Sequence, residues 1–196
     1  MDVVRLDNSR LGEASDVLSR AFQDDPAWVW LIPDDERRRE LLPWLFRVGF
    51  DVTAAEVWTT TGPVLGAARW LQPGRPPMRV LPTLKALVTT PFRLGKAIAP
   101  FLAYGRAVEA LRTQAMPDPH WYLAGIGVDP SAQRRGIGAA LMQPGLAAAA
   151  RAALPAVLLT NNEANLSFYR RNGFAVVRED DTPKGGPHAW AMVKAP

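Results

Sequence analysis

The sequence predicts a single α/β domain built on a mixed β-sheet, and three observations indicate this class. Short apolar and β-branched runs alternate with segments of helical periodicity, in the order β-α-α-β-β-α-β-α-β-α-β-β. The 196 residues suffice for one substantial core, and no internal repeat or linker interrupts them. A hydrophobic content of 48% and a charged content of 21% are typical of a globular protein.

The first half of the chain contains two predicted helices and three predicted strands. Asp24-Asp25-Pro26 is expected to end the first helix, because proline cannot continue one. The Trp-rich segment Ala27–Pro33 is assigned no regular structure, and Gln72–Pro77, rich in Gly and Pro, is expected to be a loop. The expected bounds are a strand at Val3–Leu6, a helix at Leu11–Phe22, a helix from Glu36 to about Asp51, and a hairpin of Glu56–Thr61 with Val64–Leu71.

The second half begins with a long helical region and then alternates strands with helices. One or two helices are expected over Thr83–Ala115, with breaks near Pro91 and Pro100. Pro144 is expected to kink the helix in which it lies. The remaining expected elements are a strand from His120 to the turn at Asp129-Pro130, a helix over Ile137–Leu154, a strand at Ala156–Thr160, a helix over Asn162–Arg171, and strands at Ala175–Arg178 and His188–Val193.

Composition excludes several classes of function. The chain has no cysteine and two histidines, so disulfides and thiolate chemistry are excluded and no metal site is expected. The net charge of +4 comes from scattered basic residues, which argues against nucleic acid as a partner. The most apolar stretch, Leu81–Tyr104, is interrupted by Lys85, Arg93 and Lys96 and by Pro91 and Pro100, so no membrane span is expected. No signal peptide is visible, and a cytoplasmic protein is the default expectation.

A basic, glycine-punctuated loop at Gln133–Gly138 lies between a predicted strand and an Ala-rich helix. The first amides of a helix lack intrahelical partners and carry partial positive charge, so this arrangement is suited to binding a phosphate. The loop has neither the pattern of a nucleotide P-loop nor that of a dinucleotide fold. Its alternative interpretation is a structural turn with exposed arginines.

Two motifs resemble the hallmarks of the GNAT superfamily of N-acetyltransferases. Gln133, Gly136 and Gly138 fit its pyrophosphate-loop pattern, [QR]-x-x-G-x-[GA]. Asn162 or Asn165, followed by Phe-Tyr and Gly-Phe, resembles its second motif. The segments that most resemble the puromycin N-acetyltransferase branch include Pro119–Ala124, Pro144-Gly145, Gly186-Pro187 and Trp190–Met192.

The resemblance implies a GNAT-like, mostly antiparallel sheet flanked by helices, with the fourth and fifth strands splayed apart. It also implies acetyl-CoA as co-substrate and acetyl transfer to a primary amine of a small molecule, either antibiotic-like or a metabolite. Protein Lys or N-terminal acetylation, or non-catalytic binding of acetyl-CoA, are the alternatives. Homodimers are common in the superfamily.

The resemblance assigns a role to each motif residue. Tyr169 would protonate the departing thiolate, and the backbone N–H of Val128 would stabilise the developing oxyanion. The alternative for Tyr169 is an ordinary packing aromatic. The implied cofactor-binding residues are Ile126, Gly127, Val128, Gln133, Arg134, Arg135, Gly136, Ile137, Gly138, Ala139, Asn162, Asn165 and Tyr169.

The acceptor side is less determined by the sequence. The branch often has a glutamate where this chain has Leu159, so the general base is open among Asp24, Asp25, His120 and Glu109. Structural interpretations stand beside these roles. The aspartates would end a helix, His120 would be a polar residue at the strand edge, and the tryptophans of this region would pack in the core. The candidate substrate-binding residues are Asp24, Asp25, Trp28, Trp30 and His120.

Overall fold

A seven-stranded mixed sheet flanked by helices forms the protein, in a computed structural model that describes residues 2–74, 80–182 and 185–196. The strands are β1 (Val3–Arg5), β2 (Glu56–Thr60), β3 (Gly66–Leu71), β4 (Trp121–Val128), β5 (Ala156–Thr160), β6 (Ala175–Asp181) and β7 (His188–Lys194). The helices are α1 (Leu11–Ala21), α2 (Pro26–Leu31), α3 (Asp35–Val52), α4 (Val80–Leu94), α5 (Ile98–Ala115), α6 (Ile137–Arg151) and α7 (Leu166–Arg171).

The strand order is β1-β2-β3-β4-β5-β7-β6, and the only parallel pair in the described sheet is β4 with β5. That pair holds together at one end only, where Trp121–Leu123 lies opposite Ala156–Leu158. Beyond it, β4 stays paired with β3 up to Val128. The fourth and fifth strands therefore splay apart, as the fold prediction required.

The helices lie on both faces of the sheet because the central strands β3 and β5 bury side chains on both sides. On one face α6 and α7 cover a core around Trp70, Leu141 and Met192. On the other face α1 and α3 contribute Leu18, Leu42 and other apolar residues to a second core, and α5 lies over β5, β6 and β7. Within the described ranges, no helix has both the length and the apolarity needed to cross a bilayer.

The structure corrects several expected boundaries. Pro26–Leu31 forms the helix α2, because Pro26 occupies the first helical position, where a missing N–H costs nothing. The break in Thr83–Ala115 falls at Gly95, which has a φ of +53°, and not at the prolines. Pro100 lies in the first turn of α5, so no hydrogen bond is lost there.

Other boundaries differ by a few residues. Helix α6 continues through Pro144 but ends at Arg151, short of the expected Leu154. The start of the predicted helix at Asn162 is a 3₁₀ turn over Glu163–Asn165. Strand β6 extends to Asp181 instead of Arg178. The predicted loop Gln72–Pro77 is described only as far as residue 74, and the rest lies outside the described residues.

Candidate functional site

A β-bulge at Ala124 determines which backbone groups of β4 face the gap beside β5. Trp121 donates its N–H to Pro155 of the β5 side, whereas Asp129 donates its N–H to Leu65 of the β3 side. In an uninterrupted strand the N–H groups of all odd-numbered residues would point to the same side. Those of Trp121 and Asp129 point to opposite sides, so the alternation of N–H directions reverses between them, at the register shift opposite Arg69. The N–H groups of Ile126 and Val128 therefore point into the gap.

The loop after β4 leads directly into the N-terminus of α6. Gly136 caps this helix with a φ of +79°, and Arg134 also has a positive φ of 62°. The first intrahelical hydrogen bond runs from Ala140 N–H to Gly136 O, so the preceding helical amides of Ile137, Gly138 and Ala139 have no partner within the helix.

The polar side chains of this loop are all exposed to solvent. The amide of Gln133 donates to Val128 O over 3.2 Å, and the guanidinium of Arg135 donates to Ser131 O over 3.2 Å. Both bonds are long for charged or amide donors, and Arg134 has no hydrogen bond to another described residue. The loop thus presents two arginines and a row of helix amides on one side of the gap.

These features fit the two polar parts of acetyl-CoA. Helix amides and flanking arginines match a pyrophosphate. The strand-like N–H groups of Ile126 and Val128 match the amides of a pantetheine arm, which can pair with a strand edge. No protein atom lies within 4 Å of where a Cβ on Gly136 would be, so a phosphate can approach this backbone closely.

Packing joins the loop to the second motif. A Cβ on Gly138 would lie 3.2 Å from Phe168, and Val128 lies nearby at 3.8 Å. Tyr169, the next residue on α7, is 7% exposed and packs edge-on against Phe174. The short helix α7 therefore forms the wall of the gap opposite β4.

The two asparagines of this motif differ in their contacts. The side-chain oxygen of Asn162 accepts from the N–H of Ala164 over 3.0 Å and caps the turn before α7. The side chain of Asn165 is half-buried and makes no hydrogen bond to another described residue. Asn165 is therefore the one of the pair whose amide is free to meet a ligand.

Burial raises the pKa of Tyr169 well above its ordinary value of 10, and the charge of Asp25 raises it further. A phenol of this kind stays protonated at all physiological pH values. It therefore carries a proton that it can donate, but its raised pKa makes that transfer more uphill than it is from an ordinary tyrosine. The influence of Asp25 also indicates that the turn between α1 and α2 lies close to α7.

The contact of α1 with β4 brings this turn to the gap. A Cβ on Gly127 would lie 2.8 Å from Leu18, 2.9 Å from Ala21 and 3.1 Å from Phe22, so only glycine permits this approach. The chain turns immediately afterwards, and Asp25 donates its N–H to Phe22 O over 3.1 Å. Asp25 is half-buried there, whereas Asp24 is exposed.

A hydrogen bond between Tyr104 and Asn161 joins α5 to the end of β5, on the face of the sheet that α5 covers. The Tyr104 hydroxyl donates to Asn161 Oδ1 over 2.5 Å, and Asn161 Nδ2 donates to His188 O over 2.8 Å. These bonds fix α5 to the ends of β5 and β7. Sequence reasoning missed both residues, although Asn161 directly precedes the asparagine it selected.

The two candidate tryptophans are both half-buried on this side. Trp30 packs beside Tyr104, with 6.4 Å between ring centroids. Trp28 packs between Phe46 and Phe101, at centroid distances of 5.7 and 6.4 Å. Trp28, Trp30 and Tyr104 are all partly buried against the hydrophobic core that α1 and α3 form.

The structure separates the remaining base candidates from the gap. His120 precedes β4 at the end opposite Val128, and both ring nitrogens are engaged, Nδ1 donating to Asp118 O and Nε2 accepting from Arg112. Burial and the adjacent Arg112 lower the pKa of His120. The exposed Glu109 is ion-paired with Arg112. Leu159, at the position where the puromycin N-acetyltransferase branch often has a glutamate, packs against Leu111, Ala189 and Ala191.

Comparison with known proteins agrees with this architecture. Residues 89–174 match the sequence model of the Acetyltransferase (GNAT) family. Three solved structures share the fold. One is described as histone acetyltransferase HPA2 and related acetyltransferase from Corynebacterium glutamicum, with a TM-score of 0.67 at 22% identity over 99% of this chain and 95% of that one.

The names of the other two proteins refer to small amines. One is a putative arylalkylamine N-acetyltransferase of the yellow fever mosquito, with a TM-score of 0.64 at 14% identity over 98% of this chain and 86% of that one. The other is the polyamine N-acetyltransferase of Drosophila melanogaster, with a TM-score of 0.61 at 13% identity over the full length of both. The chain therefore has the GNAT fold.

Proposed function

We propose that the protein transfers the acetyl group of acetyl-CoA to a primary amine of a small molecule. The observation that carries this proposal is the continuity between the splayed β4–β5 gap and the N-terminus of α6. Strand amides at Ile126 and Val128 lead directly into the helix amides and arginines of Gln133–Ala139. One extended ligand with amides at one end and a pyrophosphate at the other suits this arrangement.

The direction of the ligand assigns the two strand amides. Val128 adjoins the pyrophosphate loop, and Ile126 lies two residues deeper, toward the closed end of the gap at Leu123. The thioester lies farther from the pyrophosphate than the pantetheine amides do. We therefore assign the oxyanion-stabilising N–H to Ile126 and a pantetheine contact to Val128.

Tyr169 supplies the proton for the leaving group. As the amine nitrogen bonds to the thioester carbon, the carbon–sulfur bond breaks and the sulfur needs a proton. The Tyr169 phenol is neutral, buried and on the wall opposite β4. Asn165, with its free amide, is placed to bind the pantetheine arm beside it.

The position of α5 supports a small molecule over a protein. Helix α5 lies over β5, β6 and β7 and is tied by Tyr104 to Asn161, at the end of β5, which narrows the approach to the gap. The resemblance to the puromycin N-acetyltransferase branch points the same way. Because Leu159 replaces the glutamate common in that branch, we do not propose puromycin itself as the acceptor.

Two measurements test this function. Calorimetry should show acetyl-CoA binding, and absence of binding would overturn the proposal. Release of free thiol should then be followed with 2-phenylethylamine, spermidine and a lysine-containing peptide as acceptors. Faster turnover of the peptide than of either amine would move the assignment to protein acetylation, and no turnover of any would overturn acetyl transfer.

The role of Tyr169 has its own check. Tyr169→Phe should lower kcat by about 10²-fold or more, the usual contribution of a general acid. The Kd for acetyl-CoA should stay within about 2-fold of wild type, since the ring and its packing are retained. Unchanged kcat would remove the acid role.

A further inference from the structure

We infer that Asp25 binds the ammonium group of the acceptor and takes its proton. The inference rests on the proposed function and adds to it the group that selects and activates the amine. It also defines the substrate class, an alkylamine that is positively charged at neutral pH.

The fold places Asp25 at the mouth of the gap. The close contact of Gly127 with Ala21 and Phe22 holds the end of α1 against β4, and Asp25 follows three residues later. Tyr104 stands on the α5 side of the same region, tied to the residue that follows β5. Asp25 therefore faces the place where an amine would approach the gap.

The carboxylate of Asp25 is held but not neutralised. Its Oδ1 accepts from Ala27 N–H over 3.0 Å, which caps α2 and fixes the side chain. The N–H of Trp28 also hydrogen-bonds to this carboxylate. Within the described ranges, no Lys, Arg or His lies within ion-pair distance of it. A half-buried carboxylate without a counter-ion is a receptor for a cation.

The ionisable groups that face Asp25 are phenols. Its negative charge raises the pKa values of Tyr104 on α5 and Tyr169 on α7, so both rings lie within its electrostatic range. Desolvation in turn raises the pKa of Asp25 above its ordinary value of 3.8. The raised pKa of Asp25 lies closer to the pKa of the amine, so proton transfer between them is less uphill.

The other candidates lack this combination. Asp24 is exposed to solvent, and no pairing with the tyrosines is indicated for it. Both nitrogens of His120 are engaged at the far end of β4. Glu109 is exposed and paired with Arg112. Among these four, Asp25 alone combines a half-buried carboxylate, no ion-pair partner among the described residues and a place next to the end of α1 that packs on β4.

The protons balance as follows. The acceptor arrives as R–NH₃⁺ and must lose two protons to become the amide. One passes to Asp25, which releases the lone pair that attacks the thioester carbon, and Asp25 returns it to solvent from its exposed side. As the carbon–sulfur bond breaks, Tyr169 gives its proton to the sulfur and is reprotonated by the second proton, which leaves the nitrogen, so one proton in total is released, by way of Asp25.

The test compares Asp25→Asn with Asp24→Asn. Asparagine caps helices as well as aspartate does, so Asp25→Asn retains the bond from Ala27 N–H and should fold normally. For the alkylamine that wild type uses best, Asp25→Asn should lower kcat/KM by about 10²-fold or more. Asp24→Asn should change it by less than about 3-fold, and acetyl-CoA binding should be unchanged in both variants.

The charge of the acceptor provides a second reading. Aniline is unprotonated at neutral pH, so its acetylation should be far less sensitive to Asp25→Asn than that of an alkylamine. If wild type acetylates the alkylamine and Asp25→Asn does so at the same rate, the role of Asp25 is overturned and the proposed function stays intact. Failure of wild type to bind acetyl-CoA would instead overturn the proposed function.

Discussion

Gly145 of α6 lies flat against the indole of Trp70 on β3. A Cβ on Gly145 would be 2.1 Å from Trp70 Cε2, far inside van der Waals contact. Trp70 is fully buried, so its ring has no free space to move into. The glycine thus sets the distance between α6 and the sheet, and with it the position of the helix N-terminus relative to β4.

Substituting this glycine should destabilise the fold. We expect Gly145→Ala to lower the free energy of unfolding by about 3 kcal/mol or more, because overpacking a rigid core forces backbone shifts. Denaturant unfolding measures this directly. Gly12→Ala is the matched control, since that helical glycine has no neighbour within 4 Å of a Cβ and alanine should stabilise it by about 0.5–1 kcal/mol. Equal effects of the two changes would contradict the packing argument.

A second glycine separates backbone strain from cofactor binding. Gly136 and Gly62 have φ values of +79° and +76°, and neither has an atom within 4 Å of a Cβ. Alanine at either should therefore cost a similar 1–2 kcal/mol, roughly, of stability. Only Gly136→Ala should also weaken acetyl-CoA binding, by about 10-fold or more, because its methyl group would meet the phosphate. A similar loss of binding in Gly62→Ala would show that stability alone is responsible.

Hydrogen exchange can test the orientation of β4. The N–H groups of Ile126 and Val128 point into the gap, whereas those of Gly125 and Gly127 pair with β3. Addition of acetyl-CoA should slow exchange at Ile126 and Val128 while Gly125 and Gly127 stay protected throughout. NMR detection of individual amides would show this pattern, and the opposite pattern would mean that the bulge does not reverse the alternation.

All three tyrosines of the chain resist ionisation. Burial raises the pKa of Tyr122 to about 12 and raises those of Tyr104 and Tyr169 further. Because the folded pKa values exceed the unfolded value of 10, this stability is fully present below pH 10 and is lost as the pH rises above it. The free energy of unfolding should then fall by roughly 1.4 kcal/mol per pH unit for each tyrosine.

A spectrophotometric titration checks this expectation. The native protein should show little phenolate absorbance at pH 10.0, where the urea-unfolded protein should show half of its full value. Appearance of phenolate above this pH should coincide with loss of secondary structure. A native titration step at the ordinary tyrosine pKa would contradict the burial of these phenols.

Much of the fold was accessible from the sequence. The α/β class and all seven strands were predicted from the sequence pattern, because strand periodicity and turn residues are local signals, whereas the splayed strands were implied by the resemblance to the GNAT superfamily. The bulge also left a trace. The residues of β4 that pack on the α6 side are Trp121, Leu123, Ile126 and Val128, and this spacing changes from two to three between Leu123 and Ile126.

The missed features depend on tertiary contacts. Helix α2 is only six residues long and packs on α3, a tertiary contact that the local start signal at Asp25-Pro26 does not reveal. The choice between Asp24 and Asp25 likewise required the contact of Gly127 with α1. The Tyr104–Asn161 bond joins residues 57 positions apart, and sequence spacing contains no sign of it.

The short junction between β4 and β5 divides the sheet into two sets of strands, β1 to β4 and β5 to β7. Three residue pairs join the two sets at one end of β4 and β5. The core under α6 spans both sets, since Trp70 and Met192 belong to it. We expect acetyl-CoA to bridge the open end of this junction, so that its binding holds β4 and β5 together.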